Sequence, residues 1–71
     1  MTIKRSSDAR SIVPGDIILH NCACVLRAIR SDEDYLYAEE VEYSESLQDY
    51  TAIGSAERFS LSDLIGDTVN E

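Results

Sequence analysis

Basic side chains are nearly missing from the second half of this chain. After Arg30 the only base is Arg58, set against twelve acids in residues 31–71. From Asp32 to Asp49 there is no base at all among eight acids: Asp32, Glu33, Asp34, Glu39, Glu40, Glu42, Glu45 and Asp49. Residues 1–30 lean the other way, with Lys4, Arg5, Arg10, Arg27 and Arg30 against Asp8 and Asp16, and the whole carries a net charge of −8. A field of that sign repels nucleic acid and anionic membrane and attracts basic proteins. The bases Lys4, Arg5 and Arg10 are too few beside it to make a nucleic-acid binder.

Long apolar runs are also lacking. The longest are Ile17–Leu19 and Cys22–Leu26, far short of the roughly 20 residues a membrane-spanning helix needs. Lys4 and Arg5 have no apolar segment behind them, so a secretory signal is not expected and a cytoplasmic location is. The two cysteines, Cys22 and Cys24, are separated by one residue. A disulfide between them would close a small, strained ring, so reduced thiols are expected, which suits the cytoplasm. At 71 residues the chain is one domain with a thin core, a monomer or a homodimer.

What is present reads as strands. Residues 1–11 are polar and mixed and are expected to be a flexible tail, followed by a folded unit over residues 12–66 and a second tail over 67–71. Pro14-Gly15 marks a turn whose backbone Asp16 can bond. Ile17–Leu19 is a first strand and Ala23–Arg30 a second, with a turn at His20-Asn21. Tyr35–Tyr43 is the clearest strand: Tyr35, Tyr37, Glu39, Val41 and Tyr43 share one face, and Leu36, Ala38, Glu40 and Glu42 share the other. Residues 38–49 also carry some helical spacing, which leaves a helix there as the alternative. Tyr50–Ile53, broken by Gly54, and Arg58–Leu61 complete five short strands. Ser62–Ile65 reads as a 3₁₀ turn ended by Gly66. The fold class is mainly β.

Val13-Pro14-Gly15-Asp16-Ile17-Ile18 resembles the opening of many small bacterial SH3-like and Tudor-like barrels. Arg58-Phe59-Ser60-Leu61-Ser62-Asp63-Leu64 is similar to their last strand with its 3₁₀ turn. The resemblance implies a five-stranded SH3-like barrel with a short C-terminal 3₁₀ turn. It implies no activity, because such barrels serve unrelated roles. Many of these families have a glycine after the first strand, where this chain has His20-Asn21.

No motif identifies a reaction. His20, Cys22 and Cys24 would share a strand face and suit zinc, but a structural zinc site needs a fourth ligand, and none stands at a matching spacing. A Cys/His nucleophile pair needs a third group to orient the histidine, and no residue has the spacing to signal one. Small core thiols and a turn histidine are the expected reading. No catalytic residue, metal ligand or cofactor is therefore assigned. Asp32-Glu33-Asp34 lacks the glycine and distal glutamate of a calcium loop.

The charge pattern carries the functional expectation. Eight acids without a neighbouring base cost self-repulsion, whereas a fold needing only solubility would mix signs. Tyr37, Tyr43 and Tyr50 lie within the same segment, and tyrosine anchors interfaces well. The expected partner-binding residues are Asp32, Glu33, Asp34, Tyr37, Glu39, Glu40, Glu42, Tyr43, Glu45, Asp49 and Tyr50, facing a basic protein such as a nucleic-acid-processing complex. Size and acidity are similar to those of phage-encoded DNA-mimic and anti-CRISPR inhibitors, which implies a non-enzymatic inhibitor that covers a target's nucleic-acid groove in the host cytoplasm. Two alternatives remain open. One is an adaptor or regulatory subunit that binds its partner through an apolar groove; the other is a metal protein or enzyme centred on His20, Cys22 and Cys24.

Overall fold

Alternation of buried and more exposed side chains holds in the strands Cys24–Ser31 and Tyr35–Ser44, but not in Asp49–Ser60, in the computed structural model, which describes residues 1–70. A short helix α1 (Ser6–Arg10) precedes β1 (Ile17–His20), β2 (Cys24–Ser31), β3 (Tyr35–Ser44) and β4 (Asp49–Ser60). A 3₁₀ turn (Leu61–Leu64) then leads to β5 (Thr68–Asn70). The five strands form one antiparallel sheet in the order β4-β3-β2-β1-β5. The chain is mainly β, as its sequence implies. No helix among the described residues is long and apolar enough to cross a membrane.

The sheet does not close into the expected barrel, and the reason lies at β5. One edge of β5 pairs with β1; the other is taken by the first residues of the chain. Val69 N–H donates to the Met1 carbonyl at 2.7 Å, Ile3 N–H to the Asp67 carbonyl at 2.8 Å, and Thr2 bridges Thr68. The edge that β4 would need for closure is already occupied, so β4 remains a free edge among the described residues.

Residues 1–11, expected as a flexible tail, are therefore part of the fold. Ile3 and Ala9 are fully buried, and Asp8 Oδ2 accepts the backbone N–H groups of Lys4 and Arg5 at the start of α1. Composition hid this, because a few apolar side chains secure a segment whose other residues face solvent. The expected tail at 67–71 is corrected likewise: Asp67 and Val69 are buried and Thr68–Asn70 is β5, while Glu71 lies outside the described residues.

The inner face of the sheet carries Ile18, Leu26, Ala28, Leu36, Ala38 and Val69. Ile3, Ala9, Ile12, Leu61 and Leu64 close over it from the N-terminal segment, α1 and the 3₁₀ turn. The core thus follows the Leu36/Ala38 parity of β3 rather than the tyrosine parity. Val41 is buried too, on the outer face. Residues 38–49 are strand and turn, not helix. The two short strands expected on either side of Gly54 are one strand, β4. Glu39 pairs with Ala56 and Val41 with Ala52, so Ile53, Gly54 and Ser55 together oppose Glu40 in a bulge.

Turn chemistry sets the registers. Val13–Asp16 is a turn with Pro14 and Gly15 at its centre, and Gly15 takes the φ of 96° that a glycine adopts freely. Asp16 Oδ2 accepts Val13 N–H at 3.1 Å. In the β1–β2 turn the Ala23 N–H donates to the His20 carbonyl, and both central residues are left-handed, Asn21 at φ 52° and Cys22 at φ 56°. Asparagine tolerates that conformation; a cysteine there is strained.

Two outcomes follow. Cys22→Gly is expected to raise stability by roughly 0.5–1 kcal/mol, read as a higher urea midpoint, because glycine adopts a positive φ without a Cβ clash. Ile3→Ala is expected to cost about 2–4 kcal/mol by the same measurement; a loss below ~0.5 kcal/mol would place residues 1–3 outside the cooperative unit.

Candidate functional site

The outer half of the β3–β4 hairpin, residues 40–57, extends past the main core and holds Glu40, Glu42, Glu45, Asp49 and Glu57 without a single base. All five acids are exposed, and none forms an ion pair among the described residues. Local interactions shape this arm. Gln48 takes a positive φ of 53° in the loop, and Ser44 Oγ accepts Leu47 N–H at 3.4 Å. Tyr43 and Tyr50 are cross-strand partners with rings edge to face at 5.3 Å. Asp49 Oδ1 accepts Tyr50 N–H at 2.7 Å.

Strand parity sorts the arm into two sides. Glu40 and Glu42 continue the Leu36/Ala38 face of β3, and Glu57, the partner of Ala38, joins them there. Tyr43 and Tyr50 lie on the opposite face. Tyr43 is 55% exposed, while Tyr50 is half-buried against a shallow outer groove of about 480 Å³ that Met1, Ile17, Leu19 and Val25 also line.

The other expected binding residues lie elsewhere. Asp32, Glu33 and Asp34 occupy the β2–β3 turn, separated from the arm's tip by the ten residues of β3, roughly 30 Å. Asp32 Oδ1 accepts the N–H groups of Asp34 at 2.9 Å and Tyr35 at 2.8 Å. Those two bonds hold its carboxyl below the usual range, and the nearby Arg30 and Arg58 add to the effect. Glu39 is engaged by Arg27, whose Nη2 and Nε donate to Oε1 at 2.7 and 3.0 Å, while Nη1 donates to the Tyr50 carbonyl at 3.2 Å. The Arg30 guanidinium lies 3.8 Å from the Tyr37 ring centroid, and that of Arg58 lies 4.3 Å from the Tyr35 centroid.

The structure therefore keeps Glu40, Glu42, Tyr43, Glu45, Asp49 and Tyr50 together and separates Asp32, Glu33, Asp34, Tyr37 and Glu39 from them. Sequence reasoning missed Glu57, which stands outside the 32–49 window and joins the arm only through strand pairing.

The His20-x-Cys22-x-Cys24 string is split. His20 and Cys24 are cross-strand partners, and Cys22 is exposed in the turn. The orienting group that the sequence did not signal is Asp67, 47 residues away: its Oδ2 accepts His20 Nδ1–H at 2.5 Å and its Oδ1 accepts Asn21 N–H at 3.1 Å. Asn21 Nδ2 lies 3.2 Å from the other ring nitrogen, Nε2. Both ring nitrogens are thus engaged in holding the turn. No three His, Cys, Asp or Glu side chains among the described residues are arranged to hold a metal ion.

Asp32 gives a pH prediction. Its folded-state carboxyl titrates below the ordinary value of 3.8, so its contribution is complete above that value and is lost as pH falls through the lowered one. Asp32→Asn should flatten the fall of the urea midpoint between about pH 5 and about pH 3; an unchanged slope would show that the turn does not stabilise the carboxylate.

No family model, no curated protein and no solved structure matches this chain.

Proposed function

We propose that this chain is a non-enzymatic protein-binding module that docks the acidic arm, residues 40–57, onto a basic protein surface. The observation that carries the reading is the five-acid arm with no base in its sequence and no ion pair among the described residues, lying outside the core cluster. Acids retained for solubility would intersperse with bases; elsewhere in this fold they do, through Arg27 with Glu39 and through Arg30 and Arg58 near Asp32. The concrete form is an inhibitor of the DNA-mimic type that covers the nucleic-acid groove of its target, since a negatively charged β ribbon suits a groove built for phosphates. The scaffold reads as an opened SH3-like barrel, supported by the strand order and by the 3₁₀ turn between β4 and β5.

The outer groove beside Tyr50 favours a second reading, an adaptor whose partner buries Met1, Leu19 and Tyr50. Salt separates the two. Surface charge attraction is screened within a Debye length of about 8 Å at physiological salt, whereas apolar contact is not.

The test is retention of proteins from a host lysate at about 0.05 M and about 0.5 M salt, spanning weak and strong screening. The expected outcome is a basic nucleic-acid-binding protein that is released at high salt and displaced by duplex DNA. Glu42→Lys with Glu45→Lys should abolish that retention while circular dichroism remains unchanged. Retention that survives the double reversal would overturn the charge reading, and its loss in Leu19→Ala instead would favour the groove.

A further inference from the structure

The inner face of the sheet ends in a cavity of about 140 Å³, well beyond the ~10–15 Å³ a single water requires. Its floor is Leu26 and Ala38, the last small core residue of β3. One wall is aromatic, with Phe59 edge to face against His20 at 5.3 Å. Its polar rim comes from Glu40 on β3 and Glu57 on β4. The bulge leaves the remaining side open, because Gly54 stands where a side chain would fill the space: a Cβ there would meet Glu40 Cβ at 3.8 Å and Oε1 at 4.0 Å, and nothing closer.

The carboxylates make the cavity more than a packing defect. Glu57 pairs with Ala38, and Glu40 lies two residues along the same face, so two like charges occupy diagonal positions on adjacent strands. Such neighbours repel. Neither has a hydrogen bond or ion pair among the described residues, and no lysine or arginine lines the cavity, whose one imidazole, His20, is engaged with Asp67 and Asn21. An apolar floor under a carboxylate rim matches an alkyl stem ending in a cation, whose methylenes bury while its charge stays at the mouth.

We propose that this cavity takes a lysine side chain from the basic partner, with the methylenes against Leu26, Ala38 and Phe59 and the ammonium between Glu40 and Glu57. The inference rests on the acidic-arm reading, which supplies the basic partner, and adds one anchoring residue to it.

The test uses a blocked hexalysine peptide as probe, titrated into the intact chain and followed by NMR. The Ala38 and Leu26 methyl resonances should shift with the same apparent affinity as the arm's amides. Gly54→Leu fills the cavity without changing charge and should weaken binding about five- to tenfold, the scale of one lost anchoring contact of ~1 kcal/mol. Gly54→Ala, which meets only ordinary contacts, should weaken it less and serves if the leucine variant does not fold. Unmoved Ala38 and Leu26 methyls, or full affinity in a folded Gly54 variant, would overturn the cavity proposal. If Glu42→Lys with Glu45→Lys still abolished binding in that case, the acidic-arm reading would stand without it. If neither change altered binding, both would fall.

Discussion

The buried carboxylate of Asp67 is the junction on which the rest of this small fold depends. A carboxylate only 5% exposed is costly unless its lone pairs are taken, and here His20 Nδ1 and the Asn21 N–H take them. The backbone of the same residue extends the junction. Its carbonyl accepts from Ile3, and its N–H donates to the Leu64 carbonyl at 3.0 Å. One residue thus ties the β1–β2 turn, the 3₁₀ turn and the N-terminal segment together. Fixing His20 also fixes the edge-to-face contact with Phe59, which ties that wall of the cavity to the junction. The side-chain bonds among Asp67, His20 and Asn21 support the turn, where two consecutive residues are left-handed.

Charge changes meaning when the chain folds. In sequence, eight acids stand without a base; in space, Arg27 reaches Glu39 across β2 and β3, and Arg30 and Arg58 approach the Asp32 turn from two different strands. Antiparallel pairing brings bases beside the first half of β3 because its neighbours there carry arginine: Arg27 pairs with Glu39, and Arg30 and Arg58 lie near Asp32. At the other end the neighbours are Thr51, Ala52, Ile53 and Gly54 of β4, and the acids stay uncompensated. The same pairing adds Glu57 to the arm, so the acidic arm holds five acids rather than the eight of the sequence window and includes one from outside it.

The strands were legible where a short-range rule governs them. β3 reads directly from its alternation, and the Val13–Asp16 turn from Pro14, Gly15 and Asp16. The tails were not legible, because their placement depends on partners at the far end of the chain: Thr2 on Thr68, and Asp67 on His20. Gly54 misled for a related reason. A glycine in a strand signals either a break or a bulge, and only the partner strand decides which. Candidate-site residues divide by the same logic. Glu40, Glu42, Tyr43, Glu45, Asp49 and Tyr50 belong to one hairpin, so local sequence groups them correctly; Glu39 and Tyr37 are occupied by arginines from β2, which no local window shows.

The free edge of β4 bears on why the acids sit where they do. Thr51-Ala-Ile-Gly-Ser-Ala56 is an uncharged, proline-free tract, exposed from Ala52 on, in a strand whose outer edge is unpaired among the described residues, a composition prone to pair with copies of itself. Asp49 and Glu57 flank it, Glu40 and Glu42 stand on the adjoining strand, and the bulge at Ile53–Ser55 breaks its flatness. A second copy brought edge to edge in parallel register would align Asp49 with Asp49 and Glu57 with Glu57, so these charges discourage self-association in that register. Acids beside an unpaired edge are thus a device that a closed barrel, having no such edge, would not need.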